Sequence, residues 1–461
     1  MASRPFKELF AIPLRNGLTK PKAVRGAGTK MVNMGELFAN PRIVNVAMDR
    51  VPLNQAERSS SLLAAGDLLF ARQSLVLSGA GKCSIFVRDD ENVCFESHVI
   101  RCRVSQELAD PHFYYYFFSS PAGRALMESI VEQGAGASGI RGSDLAELSV
   151  PWIDPIFQRR VAGVLSQIDD KISFNRRIIQ TLEAMAQAIF QSWFVDFDPV
   201  KAKIAAKAEG RDPLRAAMSV ISGKAAAELD ALPPEQYEQL AATAALFPDE
   251  MEDSELGAIP KGWTVCPLPE CVDINPSRVL KKGAIAPYLD MANVPTHAAR
   301  VDNVVPRAFG SGSKFINGDT LLARITPCLE NGKTAYVDFL ADGEVGWGST
   351  EFIVLRPKNG LPLPFAYFLC RHPEFRAFAI SQMAGTSGRQ RVPNDCFGAY
   401  KVVKPSPLVA DAFGLQTTQF MKQIKSLDEA SKTLAGLRDV LLPRLLSGEL
   451  QVQHTEPEAV A

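Results

Sequence analysis

The sequence predicts an α+β protein in which two similar modules alternate with two long helices. Three observations support this. The two halves of the chain match each other at an offset of about 252 residues. Short Val-, Ile- and Phe-rich segments are separated by glycine turns, as in strands. Two later stretches carry a seven-residue apolar repeat, which is typical of paired helices. Together they predict an elongated chain with a pseudo-twofold internal repeat.

The internal repeat is sustained over many segments. GDLLFAR at 66–72 aligns with GDTLLAR at 318–324, and the Gly-Lys pair at 81–82 aligns with that at 332–333. The glycine-rich turn at 136–139 matches that at 385–388. Because the matches keep their order, the repeat indicates a duplicated unit.

Each module combines strands with short helices. In the first module we expect strands at Cys83–Val87 and Val99–Val104, interrupted by glycine turns, and a short helix near Phe113–Phe118. These segments are the basis of the α+β assignment.

Two heptad seams follow the modules, and each alternates steps of four and three residues. The first seam comprises Val161, Leu165, Ile168, Ile172, Asn175, Ile179, Leu182, Ala186, Ile189 and Trp193. The second comprises Phe413, Thr417, Phe420, Ile424, Leu427, Ser431, Leu434, Arg438, Leu441 and Leu445. The matched register favours antiparallel pairing of the two helices over separate packing of each helix on its own module.

Two residues of the helical stretches bear on how the helices pair and where they end. Asn175 occupies a seam position, where a buried amide can fix the register of a helix pair. Pro443 predicts that the second helix kinks or ends slightly earlier than the first.

These patterns divide the chain into six segments. They are a first module (1–153), a central helix (154–198), an acidic Ala-rich insert or linker (199–255), a second module (256–406), a C-terminal helix (407–450) and a disordered tail (451–461).

Composition indicates an ordinary globular protein, with 46% hydrophobic and 22% charged residues. No apolar run is long enough to span a bilayer and the N-terminal segment does not resemble a signal peptide, so we expect a cytoplasmic protein. The eight cysteines form no CxxC pair, which favours reduced, buried thiols over a zinc site or disulfides.

Charge is uneven although the net charge is −1. Counting Lys and Arg against Asp and Glu gives 17 against 15 in 1–150, 17 against 12 in 256–405, and 6 against 11 in 200–255. Residues 1–30 hold seven basic residues and one acid. Such a stretch can follow a phosphate backbone, but a solvated basic face gives the same pattern.

The candidate DNA-binding residues are basic or amide side chains of the basic N-terminal stretch, of the aligned strand ends and Gly-Lys pairs, and of the segments that follow the glycine-rich turns. Arginine and glutamine can read guanine and adenine edges, although phosphate contact or simple solvation is an equal alternative. Arg72 and Arg324 either face DNA or anchor a carboxylate. The full set is Lys20, Lys22, Arg25, Lys30, Arg72, Gln73, Lys82, Arg141, Arg324, Lys333, Arg389, Gln390 and Arg391.

Enzyme motifs are not convincing in this sequence. Asp110-Pro111 and Asp154-Pro155 approach an adenine methyltransferase motif, but both suit helix starts with an Asp N-cap and Pro at the first position. Gly81-Lys82-Cys83 lacks the spacing of a phosphate-binding loop. We find no carboxylate-lysine spacing typical of a nuclease. We therefore expect no catalytic residues, no bound metal and no bound cofactor in this chain.

Several segments carry a family resemblance over nearly the whole chain. They are GDLLFAR (66–72), FQSWFVDF (190–197), SELGAIPKGW (254–263) and LLPRLLSGEL (441–450). With the duplication, they make the sequence resemble the specificity subunits of type I restriction-modification systems, which serve bacterial defence. The insert from about 199 to 252 departs from the pattern, because many members shorten it.

The resemblance implies specific functions for the segments. Each module would be a target-recognition domain that reads one half of a bipartite, asymmetric DNA site. The helices would set the half-site spacing and dock two methyltransferase subunits, with nuclease-translocase subunits outside. S-adenosylmethionine, ATP and Mg²⁺ would be bound by those partners. The alternative is a protein-interaction scaffold with duplicated modules that do not bind DNA.

Overall fold

A computed structural model describes residues 2–134, 136–386 and 388–450 of the chain. It contains two compact units, Met1–Ser173 with Lys432–Ala461, and Phe174–Ser431. The tail predicted at 451–461 lies outside the described residues. Both units combine helices and sheets, which confirms the α+β class.

The first unit contains thirteen described strands. They are β1 (Ala2–Pro5), β2 (Phe10–Asn16), β3 (Thr29–Val32), β4 (Arg42–Val44), β5 (Asp49–Val51), β6 (Asp67–Ala71), β7 (Gln73–Ser74), β8 (Cys83–Arg88), β9 (Val93–Phe95), β10 (Val99–Val104), β11 (Glu132–Gln133), β12 (Ser138–Gly139) and β13 (Ser149–Trp152). The main sheet has the order β2-β10-β6-β8-β4, a second has β5-β3-β9, and β1 pairs with β13. The strands expected at Cys83–Val87 and Val99–Val104 are β8 and β10.

The described helices within the first module are short. They are α1 (Met34–Ala39), α2 (Gln55–Ser61), α3 (Pro111–Ser119), α4 (Pro121–Glu128) and α5 (Gly142–Glu147), with 3-10 turns at Phe6–Leu9, Lys22–Val24 and Leu77–Gly79. The long α6 (Pro155–Phe194) then begins. Asp110 accepts the backbone N–H of Phe113 (3.0 Å) and Asp154 that of Ile156 (2.8 Å), so both Asp-Pro pairs are helix starts, as predicted.

The second unit contains twelve described strands. They are β14 (Met251–Ser254), β15 (Gly257–Pro260), β16 (Thr264–Pro267), β17 (Val272–Ile274), β18 (Ile285–Leu289), β19 (Val305–Ala308), β20 (Ser313–Phe315), β21 (Thr320–Ala323), β22 (Thr334–Tyr336), β23 (Gly346–Gly348), β24 (Phe352–Pro357) and β25 (Lys401–Lys404). The sheets have the orders β17-β24-β21-β22 and β19-β18-β23-β20, while β14 pairs with β15 and β16 with β25.

The repeat extends to sheet topology. The order β2-β10-β6-β8 of the first unit corresponds to β17-β24-β21-β22 of the second. In both units a central strand pairs antiparallel on one side and parallel on the other, as β3 does with β5 and β9, and β18 does with β19 and β23. The two modules therefore have the same framework.

The insert of the second unit folds into four described helices. They are α7 (Asp198–Ala208), α8 (Pro213–Ser222), α9 (Ala226–Leu229) and α10 (Pro234–Ala245). Its small apolar core centres on Ala217, Met218, Leu229 and Ala244. The unit continues with α11 (Leu268–Cys271), α12 (Phe365–Arg371), α13 (Pro373–Ser381) and α14 (Pro407–Leu446), and with 3-10 turns at Met291–Asn293 and Asn394–Ala399.

The helices α6 and α14 contain 40 residues each and pair antiparallel within each unit. In the first unit, Val161 and Leu165 near the start of α6 share a core with Leu442 and Leu445 near the end of α14. In the second unit, residues near the end of α6 share a core with the start of α14, including Phe190 and Phe413.

The heptad seams lie in these interfaces. The predicted seam positions of α6 and α14 are all buried or half-buried. The pattern omitted Phe190 and Met421, which are also buried. The expectation that α14 ends earlier than α6 is wrong, because α14 continues through Pro443 to Leu446. Pro443 lies in the last turn, where its missing N–H removes a single helical hydrogen bond.

Candidate nucleic-acid interface

The arginines that close β6 and β21 have equivalent backbone positions. The Arg72 N–H donates to the carbonyl of His98 (2.7 Å), and its carbonyl accepts the N–H of Ile140 (2.9 Å). The Arg324 N–H donates to the carbonyl of Glu351 (2.9 Å), and its carbonyl accepts the N–H of Val392 (2.9 Å). The duplication thus places one arginine at the same strand end in each module.

In the first module, the glycine-rich turn is fixed beside Arg72. Strand β7, which begins at Gln73, pairs with β12 at Ser138–Gly139. A Cβ on Gly139 would lie 3.0 Å from the Arg72 carbonyl oxygen, so the close approach favours glycine. Arg141 follows the turn and forms an exposed ion pair with Glu132 (2.7 Å). The structure therefore brings Arg72, Gln73 and Arg141 to one edge of the module.

In the second module, the corresponding turn is fixed beside Arg324. The Thr326 N–H donates to the carbonyl of Gln390 (3.1 Å), and the Gln390 N–H donates to Thr326 Oγ1 (3.1 Å). Arg391 forms an ion pair with Glu351 (2.7 Å), which raises the pKa of the guanidinium group. Arg389 is exposed. Ser387 of this turn lies outside the described residues.

Lys82 and Lys333 occupy equivalent positions and hold local backbone in both modules. Lys82 Nζ donates to the carbonyl of Phe38 (3.0 Å), and Lys333 Nζ donates to that of Met291 (2.6 Å). Burial lowers the pKa of Lys82, and Arg124 contributes to the same effect. The ammonium groups of both lysines therefore support the fold, whatever else they contact.

The basic N-terminal stretch is largely neutralised by acids from elsewhere in the module. Lys20 pairs with Glu57 (2.8 Å), Arg25 with Asp49 (3.0 Å) and Lys30 with Asp89 (2.9 Å). Lys22 is exposed. Counting charge along the sequence does not show this compensation, because each acid lies 24 or more residues from the base that it pairs with and reaches it only by folding.

Within the described part of the chain, five candidates keep side chains without an internal hydrogen-bond or ion-pair partner. They are Lys22, Arg72, Gln73, Arg389 and Gln390. Four of them lie at the strand ends and turns described above. DNA contact by the candidate residues stays a prediction.

Arg103 and Arg356, rather than Arg72 and Arg324, hold a buried carboxylate at equivalent positions of the two modules. Arg103 Nε lies 2.6 Å from Asp67 Oδ1, and Arg356 Nη1 lies 2.7 Å from Asp319 Oδ1. Both carboxylates are fully buried and also accept a backbone N–H three residues before them. The aligned Gly-Asp pairs were the sequence signal for this buried ion pair.

The cysteines and acids of the described residues do not form a metal-binding cluster of three or more His, Cys, Asp or Glu side chains. The cysteines are free thiols, and six of the eight are buried. Burial raises the pKa of Cys94 to about 11 and that of Cys271 to about 12, so these thiols stay protonated near neutral pH. Among the described helices, none is long and apolar enough to cross a lipid bilayer.

Comparison with known proteins relates this chain to one group. It is 26% identical over 411 residues to the type I restriction enzyme HindI specificity subunit of Haemophilus influenzae, covering 84% of this chain and 86% of that protein. Over most of its length the chain is therefore similar to type I restriction enzyme specificity subunits. The MjaIX specificity subunit of Methanocaldococcus jannaschii is 23% identical over 357 residues, covering 74% of this chain and 69% of that protein.

The fold of this chain also matches a solved structure. The crystal structure of a type I restriction-modification S subunit from M. genitalium matches with a TM-score of 0.54 at 16% identity, over 98% of this chain and 96% of that one. No protein-family model matches the chain. The fold predicted from the resemblance is thus confirmed.

Proposed function

We propose that this chain is the DNA-specificity subunit of a type I restriction-modification complex and that it reads a bipartite, asymmetric DNA site. The observation that carries the proposal is the duplicated module with equivalent arginines, Arg72 and Arg324, at the same strand end. Two copies of one framework with different edge side chains are suited to reading two different half-sites. The similarity to named specificity subunits supports the same conclusion.

The paired helices α6 and α14 are suited to setting the distance between half-sites. A 40-residue helix is about 60 Å long, which exceeds one turn of DNA of about 34 Å. In this proposal two methyltransferase subunits dock on the chain and nuclease-translocase subunits join them. S-adenosylmethionine, ATP and Mg²⁺ belong to those subunits, and this chain itself is not catalytic.

The deciding experiment is a module exchange followed by methylation mapping at single-base resolution. Cells would carry the partner subunits with this chain, without it, or with residues 256–406 replaced by the matching module of another specificity subunit. We expect methylation to require the chain and the exchange to change one half-site only.

The matched control replaces residues 1–153 and should change the other half-site. An exchange that leaves both half-sites intact would contradict the proposal. The same result is expected of a protein-interaction scaffold, for which the DNA sequence would be read elsewhere.

A further inference from the structure

A polar cleft lies in the second unit beside the end of β21. Its volume is about 350 Å³, and its lining includes Ser277, Arg278, Ser313, Lys314, Arg324 and Asn394. Three of these side chains are cationic, and none of the described lining residues is an aspartate or glutamate. The cleft is therefore suited to an anion.

The cationic groups are held in place by the surrounding structure. Lys314 Nζ donates to the carbonyl of Arg278 (3.1 Å) and lies 5.0 Å from the centre of the Phe309 ring. Arg278 Nη2 lies 3.2 Å from Asp319 Oδ1, but the same oxygen also pairs with Arg356. Because one carboxylate serves two guanidinium groups, the local charge stays positive.

Two donors beside the cleft are unpaired in the described part of the chain. The Nε atoms of Arg278 and Arg324 are buried and have no hydrogen-bond partner among the described residues. Arg324 Nη1 donates to Asn394 Oδ1 (3.2 Å), which fixes the orientation of its guanidinium group. Buried donors are normally paired, so their arrangement around a positive cleft fits a ligand that offers several acceptor oxygens.

The cleft is also adjacent to the turn that carries Arg389. Arg324 lines the cleft and binds Val392 through its carbonyl, so the two features share one edge of the module. We propose that the cleft binds a backbone phosphate of duplex DNA through Lys314, Arg278 and Arg324. This inference rests on the proposed function and adds the residues that position DNA on the second module. At the repeat offset, Leu62 takes the place of Lys314, so the contact belongs to this module alone.

The test substitutes Lys314→Gln in the full chain, with Lys422→Gln as the control. Lys422 is exposed on α14, and its substitution removes the same charge. Binding to a random-sequence duplex and to the duplex found by methylation mapping would be followed by fluorescence anisotropy between about 0.05 and 0.3 M salt.

Removing one phosphate contact should reduce the steepness of the fall of log K with log salt by about 0.9, so the affinity of the variant should fall about eightfold less per decade of salt than that of wild type, a loss of salt dependence. We expect this loss on both duplexes for Lys314→Gln and no change for Lys422→Gln. Unchanged slopes for Lys314→Gln, or a loss confined to the mapped site, would overturn the phosphate contact.

A second arm distinguishes DNA from a free phosphate compound. Inorganic phosphate and a nucleoside monophosphate would be titrated into the wild-type chain and followed by calorimetry. The proposal would also be overturned if the wild-type chain bound either compound and Lys314→Gln abolished this binding while leaving DNA affinity unchanged. If the wild-type chain does not prefer the mapped duplex over random DNA, the proposed function fails. The salt dependence of Lys314→Gln binding to random DNA still tests whether the cleft contacts a phosphate.

Discussion

Replacing Asn175 with leucine is expected to stabilise the second unit. Asn175 is fully buried in the seam, and its Nδ2 donates to Ser431 Oγ at 3.2 Å. Its Oδ1 is buried without a hydrogen-bond partner in the described residues. Ser431 keeps its own hydrogen bond to the carbonyl of Leu427 (2.7 Å) in the variant. The substitution therefore removes an unpaired acceptor and loses a single hydrogen bond.

The magnitude follows from these contacts. An unsatisfied buried acceptor costs about 1–3 kcal/mol, and the lost neutral hydrogen bond contributes about 0.5–1.5 kcal/mol. Leucine is bulkier than asparagine, and overpacking would offset part of the gain. Taken together, we expect the free energy of unfolding to rise by about 1–2 kcal/mol.

The assay is urea unfolding of the full chain followed by circular dichroism, with the midpoint and slope compared among variants. Ser431→Ala is the control, because it leaves Asn175 Nδ2 without its acceptor, and it should lower the free energy of unfolding by about 1–3 kcal/mol. If Asn175→Leu instead lowered it by 1 kcal/mol or more, the amide would contribute more than one weak hydrogen bond and our reasoning would be refuted.

Three further predictions concern the turn, the helices and pH. Alanine at Arg389, Gln390 or Arg391 should weaken binding to the mapped site by about 1–3 kcal/mol and affect random DNA less, as measured by anisotropy; equal losses would indicate phosphate contact alone. Inserting seven residues after Ile179 keeps the heptad register and lengthens the helix by about 10 Å. Methylation mapping should then show a spacer between the half-sites that is longer by about three base pairs. An unchanged spacer would show that the helices do not set this distance. Burial raises the pKa of Glu183, because the buried carboxyl group favours its protonated form. The stability that the protonated group contributes is therefore lost as pH rises through the pKa of the folded state. Glu183→Gln should therefore stabilise the chain at pH 7 relative to wild type and differ little at pH 4, as thermal unfolding would show.

The framework was predictable because the duplication provides an internal comparison. Strands β8 and β10 and helix α3 follow local patterns, and the heptad seams predicted which faces of α6 and α14 are buried. Phe190 was missed because the heptad pattern describes helix pairing alone, whereas this residue also packs against Phe365 of the module. The early end predicted from Pro443 was wrong because this proline lies in the last turn, where its effect is limited.

The candidate site was less predictable, because side-chain partners come from distant segments. Lys30 was a candidate for its place in a basic stretch, yet folding brings Asp89 within 2.9 Å. Arg278 and Lys314 lie 36 residues apart in unremarkable sequence, and only the fold places them in one cleft. Charge spacing along a sequence cannot show such pairs, since strand order determines which loops meet.

If the modules read DNA as proposed, the contrast between their shared backbone and their different side chains explains how one framework serves two half-sites. Backbone hydrogen bonds around Arg72 and Arg324 are the same in both modules, as are the buried pairs of Asp67 and Asp319. The side chains at the edges differ, since an exposed Gln73 follows the first arginine and a half-buried Ile325 follows the second. Because the framework fixes where an edge side chain lies, substitutions at the edge can change what is read without a cost in folding. A duplicated chain of this kind can therefore vary each module independently while the paired helices stay constant.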